Sequence, residues 1–228
     1  MRYAIATGRA ERDPCPDLRG ALKPVQPQPL PSLTNPAEVA ELLKAIDSYK
    51  GTHIVRCALA LAPLVFVRPG ELRSAKWEDI DIEKAEWVFL HSKQKTAIKV
   101  KRKLIVPLSS QAVAILKDVY PLTGNGIYVF PSLRPGRSIS EGTINKALRT
   151  LGYDTRTEIT AHGFRAMART IIAERLHLDT QWIEHQLSHR TSERLGESYD
   201  RTQFLEDRRK MMQTWADYLD GLKSGESK

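Results

Sequence analysis

Trp87-Val-Phe-Leu-His-Ser-Lys-Gln-Lys-Thr-Ala-Ile-Lys-Val-Lys-Arg-Lys-Leu-Ile-Val-Pro107 is the stretch that decides the fold class. Its ends, Trp87 to Leu90 and Leu104 to Val106, are β-branched and aromatic, a composition suited to a pleated, half-buried surface. Between them crowd Lys93, Lys95, Lys99, Lys101, Arg102 and Lys103. Two apolar arms around a cationic connection predict an antiparallel hairpin or small meander.

Outward from this hairpin the pattern turns helical on both sides. Upstream, Asn35-Pro36 forms an N-cap and first-turn pair, and Val39, Leu42, Leu43 and Ile46 follow at helical spacing. A second apolar helix is predicted over 54–67. Downstream, helices are predicted over 111–119, 143–151, 161–176, 180–187 and 204–219. Thr160 and Asp179 stand where N-caps belong for two of them. The fold class is therefore mainly α with a small antiparallel β-sheet (α+β).

The N-terminal region differs. Pro14, Pro16, Pro24, Pro27, Pro29, Pro31 and Pro36 each fix φ and remove a backbone donor, so this run reads as a semi-rigid extended linker. Residues 1–7 read as the last turns of a helix that stops at Gly8. The expected division is a helix end plus linker over 1–33, one substantial domain over 34–222 and a disordered tail over 223–228. A chain that opens inside a helix and runs into a linker leads us to expect further domains ahead of it.

With 228 residues, 41% hydrophobic and 27% charged, the chain has apolar material for a real core. A net charge of +8 calls for an anionic partner, with nucleic acid, an acidic membrane face and an acidic protein all in play. Cys15 and Cys57 have no spacing that suggests a metal site or disulfide framework, which fits a reducing cytoplasm. The longest apolar run, 57–67, is short of the roughly 20 residues that span a bilayer, so no membrane-spanning helix is expected.

Three local patterns carry candidate chemistry: Arg68-Pro-Gly-Glu-Leu72, Ala161-His-Gly-Phe-Arg165, and Leu187-Ser-His189 followed by Tyr199. Taken singly each has a bland reading. Arg68 fits a surface arginine paired to Glu71, His162 and Arg165 share a helix face, Ser188-His189 fits a helix end, and Tyr199 fits a half-buried tyrosine.

Their order changes the balance. Arginine before Glu-Leu, a lysine in a β-turn, His-x-x-Arg, a histidine, then a tyrosine together resemble the active-site signature of tyrosine recombinases and phage integrases. The resemblance runs from Thr34 to Leu222. Arg68 through Asp81, and Tyr199 through Asp207-Arg-Arg-Lys-Met-Met-Gln-Thr-Trp-Ala-Asp-Tyr-Leu219, look like integrases of satellite phages and genomic islands.

The resemblance implies that Arg68 and Arg165 hold the scissile phosphate with His162 beside them. It puts His189 at a histidine or tryptophan position and makes Tyr199 the nucleophile. It places a catalytic lysine on the hairpin at Lys99, with Lys95 and Lys101 as alternatives. It also implies a preceding core-binding domain ending in 1–33, double-stranded attachment-site DNA as substrate, a tetramer on DNA, and accessory bending and excision proteins. The implied location is the cytoplasm of a bacterial host.

The residue types suit such a reaction. Two guanidiniums present permanently charged planar forks to the phosphate oxygens and to the extra charge of the transition state. A phenol with an ordinary pKa of about 10 must shed its proton as it attacks, for which His162 is the candidate acceptor or positioning group. Lys99 is the candidate acid for the departing 5′-oxygen. Transesterification needs neither metal nor ATP, and no cofactor is expected. Lys93, Lys95, Lys101, Arg102, Lys103, Arg134 and Arg137 are candidate phosphate contacts, with a solvated surface as the bland alternative. The stripe Leu205, Met212, Trp215 and Leu219 fits core packing in cis, or docking on a neighbouring subunit. A type IB topoisomerase and a catalytically silent DNA-binding fragment are the competing readings.

Overall fold

The computed structural model describes residues 1–18, 20–21, 29–92, 101–188 and 204–225, with the main chain alone at His91, Ser92, Lys101 and Arg102. A short helix, α1 (Arg2–Ala6), is followed by Gly8 at φ +70°, the left-handed conformation that glycine accepts without strain. Part of the proline-rich run, residues 19 and 22–28, lies outside the described residues.

The helical domain opens with α2 (Pro36–Asp47), where the Asn35 side chain accepts from the Ala37 N–H at 2.9 Å and Pro36 takes the first turn, as predicted. Next comes α3 (His53–Val65), which ends two residues before the apolar run predicted. Phe66 leaves the helix at φ 34°, ψ 38°, yet Phe66 and Val67 stay buried, so hydrophobicity outlasts helicity here. A one-turn helix α4 (Pro69–Arg73), which periodicity had not indicated, starts at Arg68.

The sheet has three antiparallel strands in the order β1 (Ile80–Asp81), β2 (Glu86–Ser92), β3 (Lys101–Pro107). The hairpin arms were legible and the short edge strand β1 was not. Trp87 pairs with Val106 and both are buried, whereas Leu90 pairs with Lys103 on the exposed part of the strands.

After the sheet, α5 (Ser110–Thr123) runs past Pro121, beyond its predicted end. Its last turn is held from outside, by Trp77 Nε1 donating to the Thr123 carbonyl at 3.0 Å. Then come α6 (Thr143–Thr150), α7 (Gly163–Glu174), α8 (Thr180–Gln186) and α9 (Leu205–Ser224). Asp179 caps α8 as expected, accepting from Gln181 N–H at 2.7 Å. Thr160 does not cap α7: His162 holds that position, and Thr160 Oγ1 instead accepts from the Gly163 N–H at 3.0 Å in the turn before it. α9 continues past the predicted boundary at 219, and Lys223 reaches Asp47 of α2 at 3.0 Å.

One core joins these elements. α3 lies at its centre and contacts α2, α4, α5, α6, α7 and α9. Among the described residues no helix is long and apolar enough to cross a membrane.

Candidate active site

The site grows from the C-terminal end of α3. The last carbonyls of a helix have no intrahelical partner and carry partial negative charge, so they attract donors and cations. Here side chains from three other helices take them. Trp215 Nε1 of α9 donates to the Pro63 carbonyl at 2.9 Å, Gln186 Nε2 of α8 to Val65 at 3.4 Å, and Arg165 Nη1 of α7 to Phe66 at 2.9 Å.

Arg165 also reaches the end of α8, where Nη2 donates to the Leu187 carbonyl at 2.8 Å. It is only 5% exposed. Burial first, and then the charge of Arg68, brings its guanidinium down to about 10, with Glu71 and Glu184 pulling the other way. It therefore stays charged at neutral pH.

Arg68 stands two residues beyond Phe66 and is the N-cap of α4. Its main-chain N–H donates to Glu71 Oε2 at 2.8 Å, and its Nη1 pairs with Glu71 Oε1 at 3.3 Å. The bland reading of Arg68 as the partner of Glu71 is thus correct, but its setting is not a plain surface. Arg68 is half-buried and close enough to Arg165 for the two charges to repel. A pair of cations held together by packing and main-chain bonds is relieved by an anion.

His162 begins α7, three residues before Arg165, and is exposed. Gly163 beside it is obligatory, because a Cβ there would meet the Pro31 carbonyl oxygen at 2.3 Å. The linker end crosses this turn, with Ser32 Oγ donating to the Gly163 carbonyl at 2.8 Å.

The structure thus brings Arg68, His162 and Arg165 to one end of α3. Lys93, Lys95, Lys99, His189 and Tyr199 lie outside the described residues. Lys101 and Arg102 are placed by main chain alone, paired with Ser92 and His91. Arg134 and Arg137 are exposed on a loop closed by the Pro131–Ser138 bridge, turning at Gly136 with φ +71°. Lys103 lines an open cleft with Lys84 and with Glu78, Asp79, Asp81, Glu83 and Glu86, so carboxylates outnumber cations in its lining.

Two groups escaped the sequence reading. Arg208, on the buried face of α9, is 2% exposed and bonds to Gln186, itself 1% exposed. A signal existed: position 208 falls within the stripe 205, 208, 212, 215, 219, so a charge interrupts an apolar face. The second group is His53, Cys57 and Asp118. His53 Nε2 lies 3.1 Å from Asp118 Oδ2, and Cys57 Sγ lies 3.5 and 3.7 Å from the two. Arg56 donates to His53 Nδ1 at 2.9 Å, which leaves the ring proton on Nε2 facing Asp118. The trio is a hydrogen-bonded chain rather than a set of open metal donors.

Comparison with known proteins places the chain. A profile of the phage integrase family matches residues 33–206. The chain belongs to the phage integrase family. The integrase of Enterobacteria phage P4 is 36% identical over 230 aligned residues, covering 96% of this chain and 52% of that protein. Prophage integrase IntA of Escherichia coli K12 is 31% identical, covering 99% and 53%. The chain thus spans about half the length of these curated relatives.

Solved structures agree on the fold. The integrase of mycobacterium phage Brujita superposes with a TM-score of 0.59 at 18% identity, covering 92% of this chain and 66% of that one. A lambda integrase (75–356) dimer bound to a COC′ core site gives 0.55 at 20% identity, covering 83% and 67%. The mainly helical domain with a three-stranded antiparallel sheet is the integrase catalytic fold, as expected.

Proposed function

We propose that residues 34–222 of this phage integrase family member form the catalytic unit of a site-specific recombinase, which cuts and rejoins double-stranded DNA through a phosphotyrosyl link to Tyr199. One observation carries this reading. The two arginines of the motifs, 97 positions apart on the chain, meet at the end of α3, where Arg68 repels Arg165 and Arg165 binds the carbonyls of Phe66 and Leu187. His189 follows Leu187 by two positions, so the arginine pair sits where the tyrosine-bearing segment begins.

In the proposed reaction the Tyr199 hydroxyl oxygen attacks phosphorus and the bond to the 5′-oxygen breaks. The phenolic proton passes to His162 or to water through it, and Lys99 protonates the departing 5′-oxygen. Arg68 and Arg165 neutralise the added negative charge of the transition state. A second DNA 5′-hydroxyl reverses the step and seals a new junction. Bond energy is conserved, so neither ATP nor metal enters the scheme.

Lys93, Lys95, Lys101, Arg102, Arg134 and Arg137 are proposed phosphate contacts. Lys103 shares its cleft with five carboxylates and is the weaker candidate for such a contact. The lambda integrase tetramer bound to a Holliday junction, similar in fold with a TM-score of 0.53, supports a tetramer as the working assembly. Accessory DNA-bending and excision proteins, a bacterial cytoplasm, and residues 1–33 as the connection from a core-binding domain complete the proposal.

The deciding experiment uses a nicked suicide substrate carrying the attachment core, scored for a protein–DNA adduct that survives denaturant. The intact protein is expected to form it, and Tyr199→Phe to bind DNA without forming it. An adduct retained in Tyr199→Phe would overturn the assignment, and DNA binding with no adduct from the intact protein would favour a silent DNA-binding protein. Relaxation of supercoils without site pairing would favour a topoisomerase.

A further inference from the structure

We propose that Arg208 and Gln186 are positioning residues, a buried clasp joining the two stems of the segment that carries Tyr199. The inference rests on the recombinase reading above and assigns it two groups outside the motif set. Gln186 closes α8 just before the segment, and Arg208 lies in the first turn of α9 just after it.

The contacts are short and interior. Arg208 donates to Gln186 Oε1 through Nε at 3.2 Å and through Nη2 at 2.5 Å, and Nη2 also reaches the Ile105 carbonyl of β3 at 2.5 Å. Gln186 in turn donates to the Val65 carbonyl at 3.4 Å. One chain of bonds therefore runs from β3 through α9 and α8 to the end of α3. It ends one residue before Phe66, whose carbonyl holds Arg165. Outside it, the rings of His185 and Phe204 meet edge to face at 5.2 Å, a second contact between the same stems.

The backbone points the same way. Ser188 and Phe204, on either side of residues 189–203, both adopt positive φ, at 52° and 42°. Ser188 ends α8 in the left-handed conformation that closes many helices, and Phe204 is the N-cap of α9, so the chain turns sharply at both stems within a few residues of the clasp. Burying a guanidinium is costly, which lowers Arg208 to about 10. An apolar residue would serve core packing better, so the arginine serves arrangement rather than stability. Joining α8 to α9 fixes the two points from which the chain bearing Tyr199 departs and returns, and so favours the attack geometry. Ile105 extends the restraint to the strand that follows the lysine-bearing connection.

The test measures DNA affinity, thermal melting and single-turnover adduct formation on the suicide substrate, using the full-length protein, with Tyr199→Phe as the blank. Arg208→Met combined with Gln186→Met removes both polar side chains of the link, at the cost of the donors they give to the Ile105 and Val65 carbonyls. This variant is expected to melt below the intact protein but stay folded at the assay temperature and bind DNA equally well, yet form adduct at least about tenfold more slowly. Arg208→Lys combined with Gln186→Glu restores a charged link between the stems and is expected to recover part of the rate. Adduct formation at the intact rate by the double methionine variant overturns the clasp, as does a rate loss matched by lost DNA affinity. Should that variant fail to fold, Gln186→Met alone decides, since it removes the link while leaving Arg208 on the Ile105 carbonyl, and an unchanged adduct rate there also overturns the clasp. An intact protein that forms no adduct refutes the recombinase reading itself, an outcome visible before any clasp variant is compared.

Discussion

The guanidinium of Arg165 lies 2.9 Å from the main-chain carbonyl of Phe66, across 99 residues of sequence. Its other arm holds Leu187 at 2.8 Å, so one side chain fastens the ends of α3 and α8 to α7. A lysine presents a single ammonium and cannot reproduce this planar fork. Arg165→Lys is expected to lower adduct formation on the order of a hundredfold or more. Arg165→Met, which leaves both carbonyls short of a donor, is expected to cost about 2 kcal/mol or more of stability. Urea unfolding and the suicide-substrate assay check the pair, and near-intact values for both variants would refute the dual role.

Gly163 has no room for a side chain, because the linker backbone at Pro31 occupies the place of its Cβ. Gly163→Ala is expected to displace the linker end and break the Ser32 contact, at a cost of about 1–3 kcal/mol. Limited proteolysis should then cut the chain near Pro31 faster than in the intact protein. Equal cleavage rates would show that the linker does not depend on this turn.

Trp215 is fully buried, and its indole N–H satisfies the Pro63 carbonyl inside α3. α9 packs its apolar stripe in cis against α2 and α3, and Arg209 adds an ion pair with Glu86 of β2. Trp215→Ala is expected to cost about 3–5 kcal/mol. Truncation before Leu205 is expected to unfold the domain rather than merely impair assembly. Circular dichroism and melting decide this, and a truncated chain that melts like the intact one would return α9 to the role of a free docking arm.

Cys57 is the less reactive of the two thiols. Burial first, then the charge of Asp118 and its hydrogen bond, push it up to about 11. At pH 8 only about one Cys57 in a thousand is then a thiolate. A chromogenic disulfide reagent is expected to titrate Cys15, which is exposed, at once and Cys57 only after denaturation. The unfolded thiol ionises near its ordinary value of 9.0 and the folded one near 11, so the unfolded state loses its proton first. Stability from this group is complete below about pH 9 and declines as pH rises toward 11. Two thiols reacting at equal rates in native buffer would contradict this setting.

Much of the scaffold was legible because its signals are local. The Asn35-Pro36 cap, the α2 periodicity and the two apolar arms of the hairpin each depend on residues a few positions apart. Helix ends were less legible. Phe66 is apolar enough to continue α3, but its backbone turns away, and α5 runs through Pro121 to Thr123 although proline supplies no N–H. Arg208 was not singled out in the sequence, although its place in an apolar stripe marked it.

By itself the sequence determined the fold class, the basic balance and the order of the motif residues, since these follow from composition, short-range periodicity and spacing. Only the tertiary structure decided that Arg165 binds the ends of two other helices, that Arg208 and Gln186 join the stems around residues 189–203, and that Trp215 completes α3 in cis. The reason is physical. A helix end leaves carbonyls that need donors, and which side chain supplies them depends on how elements far apart in the chain pack against one another.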